Sequence, residues 1–354
     1  MTDVQRLIRP DIAALAAYRP GGSPASPDAI KLSSNENPFP PLESVLQAAR
    51  DAAAKLPLYP DNAATELAAA VAARHGIAAE QLAFGAGSVS SLMQVLQATC
   101  RAGEEVILGW RSFEANPLAV TVAGAVRVQV PLRADGTHDI DAMLAAITPR
   151  TRAILLASPN NPTGPVLHRA DVEQILEQAP EHILVVLDEA YVEYVTDPDA
   201  VNGVDLLGDP RLVVLRTLSK AWGLAGYRVG YAMADPQVAA ALRTVTPPFS
   251  VSIPAQATAL AALDEEPKIL EQVATVTAER DRVAGELRAL GFQVPQAQGN
   301  FVWLDLGERA ESVAQVFSDH GLVVRTFAGE GCRITTHTAA VNDQVLAAAR
   351  AAGA

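Results

Sequence analysis

Between residues 81 and 216, short runs rich in Val, Ile and Leu alternate with stretches in which apolar residues return every three or four positions. The runs at 105–108, 126–131, 153–157, 183–187 and 212–216 have the look of buried parallel strands. A shorter run at 81–84 leads into a glycine loop at 85–87, and helical spacing covers 42–55, 65–75 and 88–101. Such alternation predicts an α/β layered domain with helices on both faces of the sheet. Near Pro247-Pro248 the pattern changes. Helices are expected at 255–263, 267–290, 310–320 and 341–352, with short strands at 292–294, 300–304, 323–325 and 332–336. That combination predicts a smaller α+β domain. The first thirty residues are punctuated by Pro and Gly and read as an extended arm after one short helix. The expected organisation is an arm at 1–30, a large domain at 31–247 and a small domain at 248–354.

Bulk properties narrow the class. The chain has 354 residues, 49% hydrophobic and 19% charged, as expected for a globular enzyme with a large core. Its formal net charge is −13. Nucleic acid and anionic membranes need a basic face, so neither is an expected partner. No apolar run reaches membrane-spanning length, and no signal pattern opens the chain. Cys100 and Cys332 lie far apart and suggest neither a disulfide framework nor a metal site, so the cytoplasm is the expected location. The six histidines show no metal-ligand spacing, and no metal is expected.

The candidate chemistry sits in loops after the strands, where α/β sheets bind ligands. Residues 217–228 read Thr-Leu-Ser-Lys-Ala-Trp-Gly-Leu-Ala-Gly-Tyr-Arg. A lysine in a tight, weakly solvated turn can lose its proton and become a nucleophile. Ser219 and Arg228 beside it suit a phosphate. A nucleophilic amine beside a phosphate grip suggests pyridoxal phosphate held as a Schiff base to Lys220. Taken by itself, the lysine is an ordinary helix-start residue facing water; the other loops shift that weighting. Gly85-Ala86-Gly87-Ser88-Val89-Ser90 joins a strand to a helix, and amides at a helix start cradle phosphate. Pro159-Asn160-Asn161-Pro162-Thr163-Gly164 is a turn by composition. Asp188 ends a buried run, where a carboxylate is costly unless paired. A pyridinium N–H is a suitable partner, and the carboxylate would keep the ring nitrogen protonated.

Asn161 in NPTG, Asp188 in DEAY, Lys220 in TLSK and Arg228 together resemble fold-type I pyridoxal-phosphate aminotransferases. Lys31-Leu-Ser-Ser-Asn-Glu-Asn-Pro38, Tyr59-Pro60-Asp61, Ala-Gly-Tyr-Arg228 and Gly-Asn-Phe-Val302 resemble the histidinol-phosphate aminotransferase branch. Gly109-Trp-Arg-Ser-Phe-Glu114 and Gly87-Ser-Val-Ser90 look most like its actinobacterial aromatic (phenylalanine) members. The resemblance spans nearly the whole chain. It departs at Asn-Pro-Phe-Pro-Pro41, where the family often has a glycine, and at Asn116, where many relatives carry tyrosine.

The resemblance implies a mostly parallel seven-stranded sheet between helices, plus a smaller α+β domain. It implies that Lys220 holds the cofactor and moves the substrate proton, and that Asp188 pairs with the pyridine nitrogen. Asn161 and Tyr191 would bond the phenolic oxygen and Phe113 would stack on the ring. Ser88, Val89, Ser219 and Arg228 would hold the phosphate, with Tyr59 reaching it from the partner subunit of a homodimer. Arg333 would grip the substrate carboxylate, assisted by Arg325 and Tyr18. The implied activity is transfer of the amino group of an aromatic amino acid, phenylalanine first, to 2-oxoglutarate by a ping-pong cycle. Histidinol-phosphate transamination is the alternative. Decarboxylation of a phosphorylated amino acid is known on this branch architecture. A sensor domain of a transcription regulator would need a fused basic module, whereas this chain begins at the aminotransferase arm.

Overall fold

The structure, a computed structural model, describes residues 7–22 and 26–353. Residues 1–6 and 23–25 of the expected arm lie outside the described residues, as does 354. The strands are β1 (Ile30–Leu32), β2 (Leu82–Gly85), β3 (Glu105–Trp110), β4 (Val126–Pro131), β5 (Thr151–Ala157), β6 (Leu184–Asp188), β7 (Leu212–Thr217), β8 (Gly230–Met233), β9 (Phe301–Asp305), β10 (Leu322–Phe327) and β11 (Gly331–Thr335). The helices are α1 (Pro10–Ala13), α2 (Glu43–Ala53), α3 (Thr65–His75), α4 (Ser88–Thr99), α5 (Ala115–Val122), α6 (Ile140–Ala145), α7 (Arg169–Gln178), α8 (Pro236–Val245), α9 (Ile253–Asp264), α10 (Glu266–Ala289), α11 (Ala310–Asp319) and α12 (Ala339–Ala352).

Seven strands form one sheet in the order β2-β8-β7-β6-β5-β3-β4. All its pairings are parallel except the two made by β8. Successive strand residues point to opposite faces. Thus Ile107, Ile154, Val185, Leu187 and Val214 pack with α3, α7 and α9 on one side. Val106, Leu108, Leu155, Val186 and Val213 pack with α4, α5 and α8 on the other. Each fully buried Val, Leu or Ile contributes about 1.5–3 kcal/mol, so covering both faces is what holds this sheet. The second sheet runs β1-β10-β11-β9 and packs on α11, α12 and the C-terminal half of α10.

The seven-stranded α/β architecture is as expected, with four local differences. The chain does not change layers at residue 247. α9 packs on α2, and α10 runs through both cores: Ile269, Val273 and Val276 face the large one, and Val283, Ala284 and Leu287 the small one. β1 belongs to the small sheet, beside β10, although it precedes the whole large domain in sequence. The strand expected at 292–294 is only a single bridge from Gln293 to Asp305; Pro295, which has no N–H, follows. β8 escaped the pattern because it is four residues long and opens on glycine. That glycine has a reason: a Cβ on Gly230 would lie 2.3 Å from the Ser88 amide.

Candidate active site

The carboxyl ends of β2, β3, β5, β6 and β7 open into one cleft of about 820 Å³, roofed by the small sheet. Twelve of the thirteen residues singled out from sequence line it: Tyr18, Ser88, Val89, Phe113, Asn161, Asp188, Tyr191, Ser219, Lys220, Arg228, Arg325 and Arg333. Tyr59 does not. It is 80% exposed and stacks on Phe249, ring centroids 4.6 Å apart, outside the cleft.

The lysine loop is fixed from both sides. Thr217 Oγ1 accepts from the Ser219 amide at 3.1 Å, and the Leu224 amide donates to Leu218 O at 2.9 Å. Trp222 is buried and donates from Nε1 to Glu193 at 2.8 Å. Lys220 therefore points into the cleft, where Nζ donates to Ser34 O at 3.0 Å and stands 5.6 Å from the Tyr191 ring centroid. Burial, then the nearby Arg333 charge, lowers its pKa to about 7. Lowering of this kind raises the share of neutral amine near neutral pH, which is what a nucleophile or proton acceptor requires.

Asp188 ends β6, and its Oδ1 accepts from the Ala190 amide at 3.1 Å. Burial raises its pKa to about 6, against the lowering effect of that amide. Its neighbour Glu189 points the other way, as strand geometry demands, and forms a buried ion pair with Arg216 of β7 (2.7 Å). Glu189 also accepts from the Gly203 amide at 2.6 Å. Buried charges need such partners. Glu189 has them, whereas Asp188 faces the cleft without a cationic hydrogen-bond partner among the described residues.

Above Asp188, the Tyr191 hydroxyl accepts from Asn35 Nδ2 at 2.9 Å and from Asn161 Nδ2 at 3.3 Å, leaving its own proton free to donate. Asn161 Oδ1 in turn accepts from Arg333 Nη1 at 2.6 Å, and Arg333 Nη2 donates to Ser33 O at 2.6 Å. Arg333 is buried, its Nε has no partner among the described residues, and burial lowers its pKa. A guanidinium held this way is set to receive an anion. At the opposite end, Gly87 (φ +87°) starts α4, whose first amides have no intrahelical partner. A Cβ on Gly87 would lie 2.2 Å from Arg228 Nη2. Arg228 Nη1 donates to Ser219 Oγ at 3.1 Å. Helix amides, a hydroxyl and a guanidinium thus converge in a cradle suited to phosphate. Phe113 forms a wall between these ends, with Tyr18 edge-on to it at 6.1 Å.

The aminotransferase class I and II family matches residues 27–349. The chain belongs to that family. The aromatic amino acid aminotransferase of Streptomyces coelicolor is 48% identical to it over 349 residues, covering 98% of this chain and 97% of the relative. That of Thermobifida fusca is 49% identical over 346 residues, covering 97% and 96%. Among solved structures, the histidinol-phosphate aminotransferase of Sinorhizobium meliloti in complex with pyridoxal-5'-phosphate superposes with a TM-score of 0.88. It is 29% identical, with 98% of this chain and 97% of that one covered.

This aminotransferase family depends on pyridoxal phosphate. The cleft suits that group on four counts: a carboxylate lacking a cation, a phenol with a free proton, an amine near neutrality and an anion cradle that a single Cβ would fill. Two residues that shape the site were not singled out from sequence. Asn35 holds Tyr191 from a left-handed backbone position (φ 54°), which asparagine tolerates. Its signal was present in the Asn35-Glu36-Asn37 run. Glu114, on the cleft rim, pairs with Arg325, and sequence gave no sign of that pairing.

Proposed function

We propose that this aminotransferase moves the amino group of an aromatic L-amino acid, phenylalanine first, to 2-oxoglutarate by a ping-pong cycle. The observation that carries the reading is a cleft in which one buried guanidinium, Arg333, has an unpartnered Nε while Tyr18, Phe113, Leu118 and Phe327 supply apolar wall. The full-length relatives named above point the same way. A phenyl side chain gains from burial against such a wall. An imidazole needs a polar partner, and a phosphate a second free cation.

In this reading Lys220 would hold the cofactor and would take the substrate Cα proton and return it. Asp188 would pair with the ring nitrogen and keep it protonated. Asn161 and Tyr191 would bond the phenolic oxygen, Phe113 would cover the ring, and Ser88, Val89, Ser219 and Arg228 would hold the phosphate. When bound, the cofactor supplies an electron sink for the negative charge that develops at Cα. Arg333 orients the carboxylate, and Tyr18 closes the aromatic side. Steady-state kinetics on two donors test the assignment. A higher kcat/KM is expected for phenylalanine than for histidinol phosphate, and the reverse order would move the chain to histidinol-phosphate transamination. Arg333→Lys keeps the charge but loses the planar fork, and kcat/KM is expected to fall by about 10²-fold.

The working unit is a homodimer with shared sites. Tyr59 and Phe249 form an exposed aromatic stack beside the exposed Leu56 and Leu58, a patch suited to a second copy. Tyr59 would reach the partner's phosphate. Tyr59→Phe is expected to weaken cofactor binding by about 1–3 kcal/mol, the worth of a hydrogen bond to a charged group. Mixing Lys220→Ala with Tyr59→Ala protein should restore activity, because one hybrid site has both side chains intact. Absence of rescue after verified subunit exchange would argue against sharing. The expected setting is the cytoplasm: Cys100 and Cys332 are both free thiols, and no described helix is long and apolar enough to cross a membrane.

A further inference from the structure

We infer that Glu114 sets the charge selectivity of the cleft: it occupies Arg325 and so withholds a second cationic site from substrates that carry a second negative charge, on another carboxylate or on a phosphate. The inference rests on the cleft being the transaminase site proposed above.

Two arginines project from the small sheet toward the cleft. Arg325 of β10 lies directly opposite Arg333 of β11 in an antiparallel pair. Like charges at opposed positions repel, so this pairing needs an offsetting anion. Glu114 provides it from the large domain, one residue after Phe113. Its carboxylate accepts from Arg325 Nη2, and no other side chain among the described residues holds it. Arg325 also donates to Arg19 O at 2.9 Å and lies over the Phe327 ring, 5.5 Å from its centroid. The Arg325 side chain is 13% exposed and that of Glu114 31%, so both meet the cleft while partly shielded from water.

The two arginines are therefore not equivalent. Arg333 bonds only neutral oxygens, from Asn161 and Ser33, so its charge remains available to a carboxylate. Arg325 is already neutralised. A monocarboxylic aromatic donor leaves the Glu114–Arg325 pair intact. A donor with a second carboxylate or a phosphate has to displace Glu114, which then stands unpaired beside the incoming anion. A dicarboxylic 2-oxo acid acceptor faces the same exchange, whereas phenylpyruvate does not.

Glu114→Gln keeps a hydrogen-bonding group and removes the charge. The ratio of kcat/KM for aspartate or histidinol phosphate to that for phenylalanine is expected to rise by about 10- to 100-fold, as for removal of one like charge at contact range. The KM for 2-oxoglutarate should fall while that for phenylpyruvate does not. A readout independent of turnover is calorimetric binding of succinate against 3-phenylpropionate, whose affinity ratio should move in the same direction. Glu114→Asp, with its carboxylate drawn back from Arg325, should give a smaller shift of the same sign. In an Arg325→Gln background Glu114→Gln should give a clearly smaller shift, the part that direct repulsion supplies without the second cation. Ratios constant within about twofold across folded Glu114 variants would overturn the inference. So would a full shift that persists without Arg325. Wild-type protein that fails to transaminate any aromatic donor would instead overturn the proposed function, leaving the succinate and phenylpropionate comparison to decide the role of Glu114.

Discussion

Lys220→Ala is expected to reduce transamination by at least about 10²–10⁴-fold, the range supplied by a positioned proton-transfer group, with further loss from the missing nucleophile. The amine is half-buried between Ser34 O and the Tyr191 ring, and burial has brought its pKa to about 7. Among the described residues no other lysine lines the cleft, and the remaining basic side chains there, Arg228, Arg325 and Arg333, are guanidiniums that donate hydrogen bonds and offer no acceptor. The phosphate cradle, Asp188 and Tyr191 do not depend on the amine, so the variant should still bind pyridoxal phosphate, now without a covalent link. Borohydride reduction followed by denaturing mass spectrometry separates the two states. Wild-type protein should retain one cofactor per chain on a peptide containing Lys220, and the variant none. Cofactor fixed to another lysine, or a variant with turnover within tenfold of wild type, would refute the assignment.

The sequence pattern disclosed the large sheet because parallel strands buried on both faces must be apolar almost throughout. The runs around Leu155, Val186 and Val213 are of this kind. β1 and β8 have no such signature. Their places are set by contacts remote in sequence: β1 by β10 nearly three hundred residues on, and β8 by the close approach of Gly230 to Ser88. The layer change inside α10 was illegible for a related reason. A helix that passes from one core to another keeps its apolar spacing, and only tertiary packing shows which core each turn faces. Cleft residues in short motifs at strand ends, such as Asn161, Asp188 and Lys220, were visible because several loops pointed to one chemistry. Glu114 was not, since its meaning depends on Arg325, more than two hundred residues away. Tyr59 is a third case. Its proposed role belongs to a second copy, and in the single chain it lies outside the cleft.

Asp188→Asn is expected to separate stability from activity. In the folded, cofactor-free protein burial holds the Asp188 pKa at about 6, well above the ordinary carboxylate value of 3.8. A carboxyl group whose folded pKa is raised favours the folded state most at low pH, below its unfolded pKa. That contribution is lost as pH rises through about 6, where the ionised group becomes a cost. Asparagine has nearly the same shape, keeps an oxygen for the Ala190 amide and carries no charge. The cofactor-free variant should therefore be more stable than wild type at pH 7–8, by up to about 3 kcal/mol, with the gain fading as pH falls toward 4. Activity should move the other way. An adjacent carboxylate favours a protonated ring nitrogen by about one to three pK units, and its loss should lower turnover by about 10- to 10³-fold with the cofactor still bound. Chemical denaturation of the cofactor-free proteins at pH 5 and pH 8, alongside kcat, checks both halves. Near-normal turnover would mean that Asp188 is not the partner of the ring nitrogen. An unchanged stability difference between the two pH values would mean that the carboxylate is not held in the folded protein at a cost. If both changes appear, the wild-type chain gives up apoprotein stability for a negative charge at the end of β6 that only a bound cation can offset.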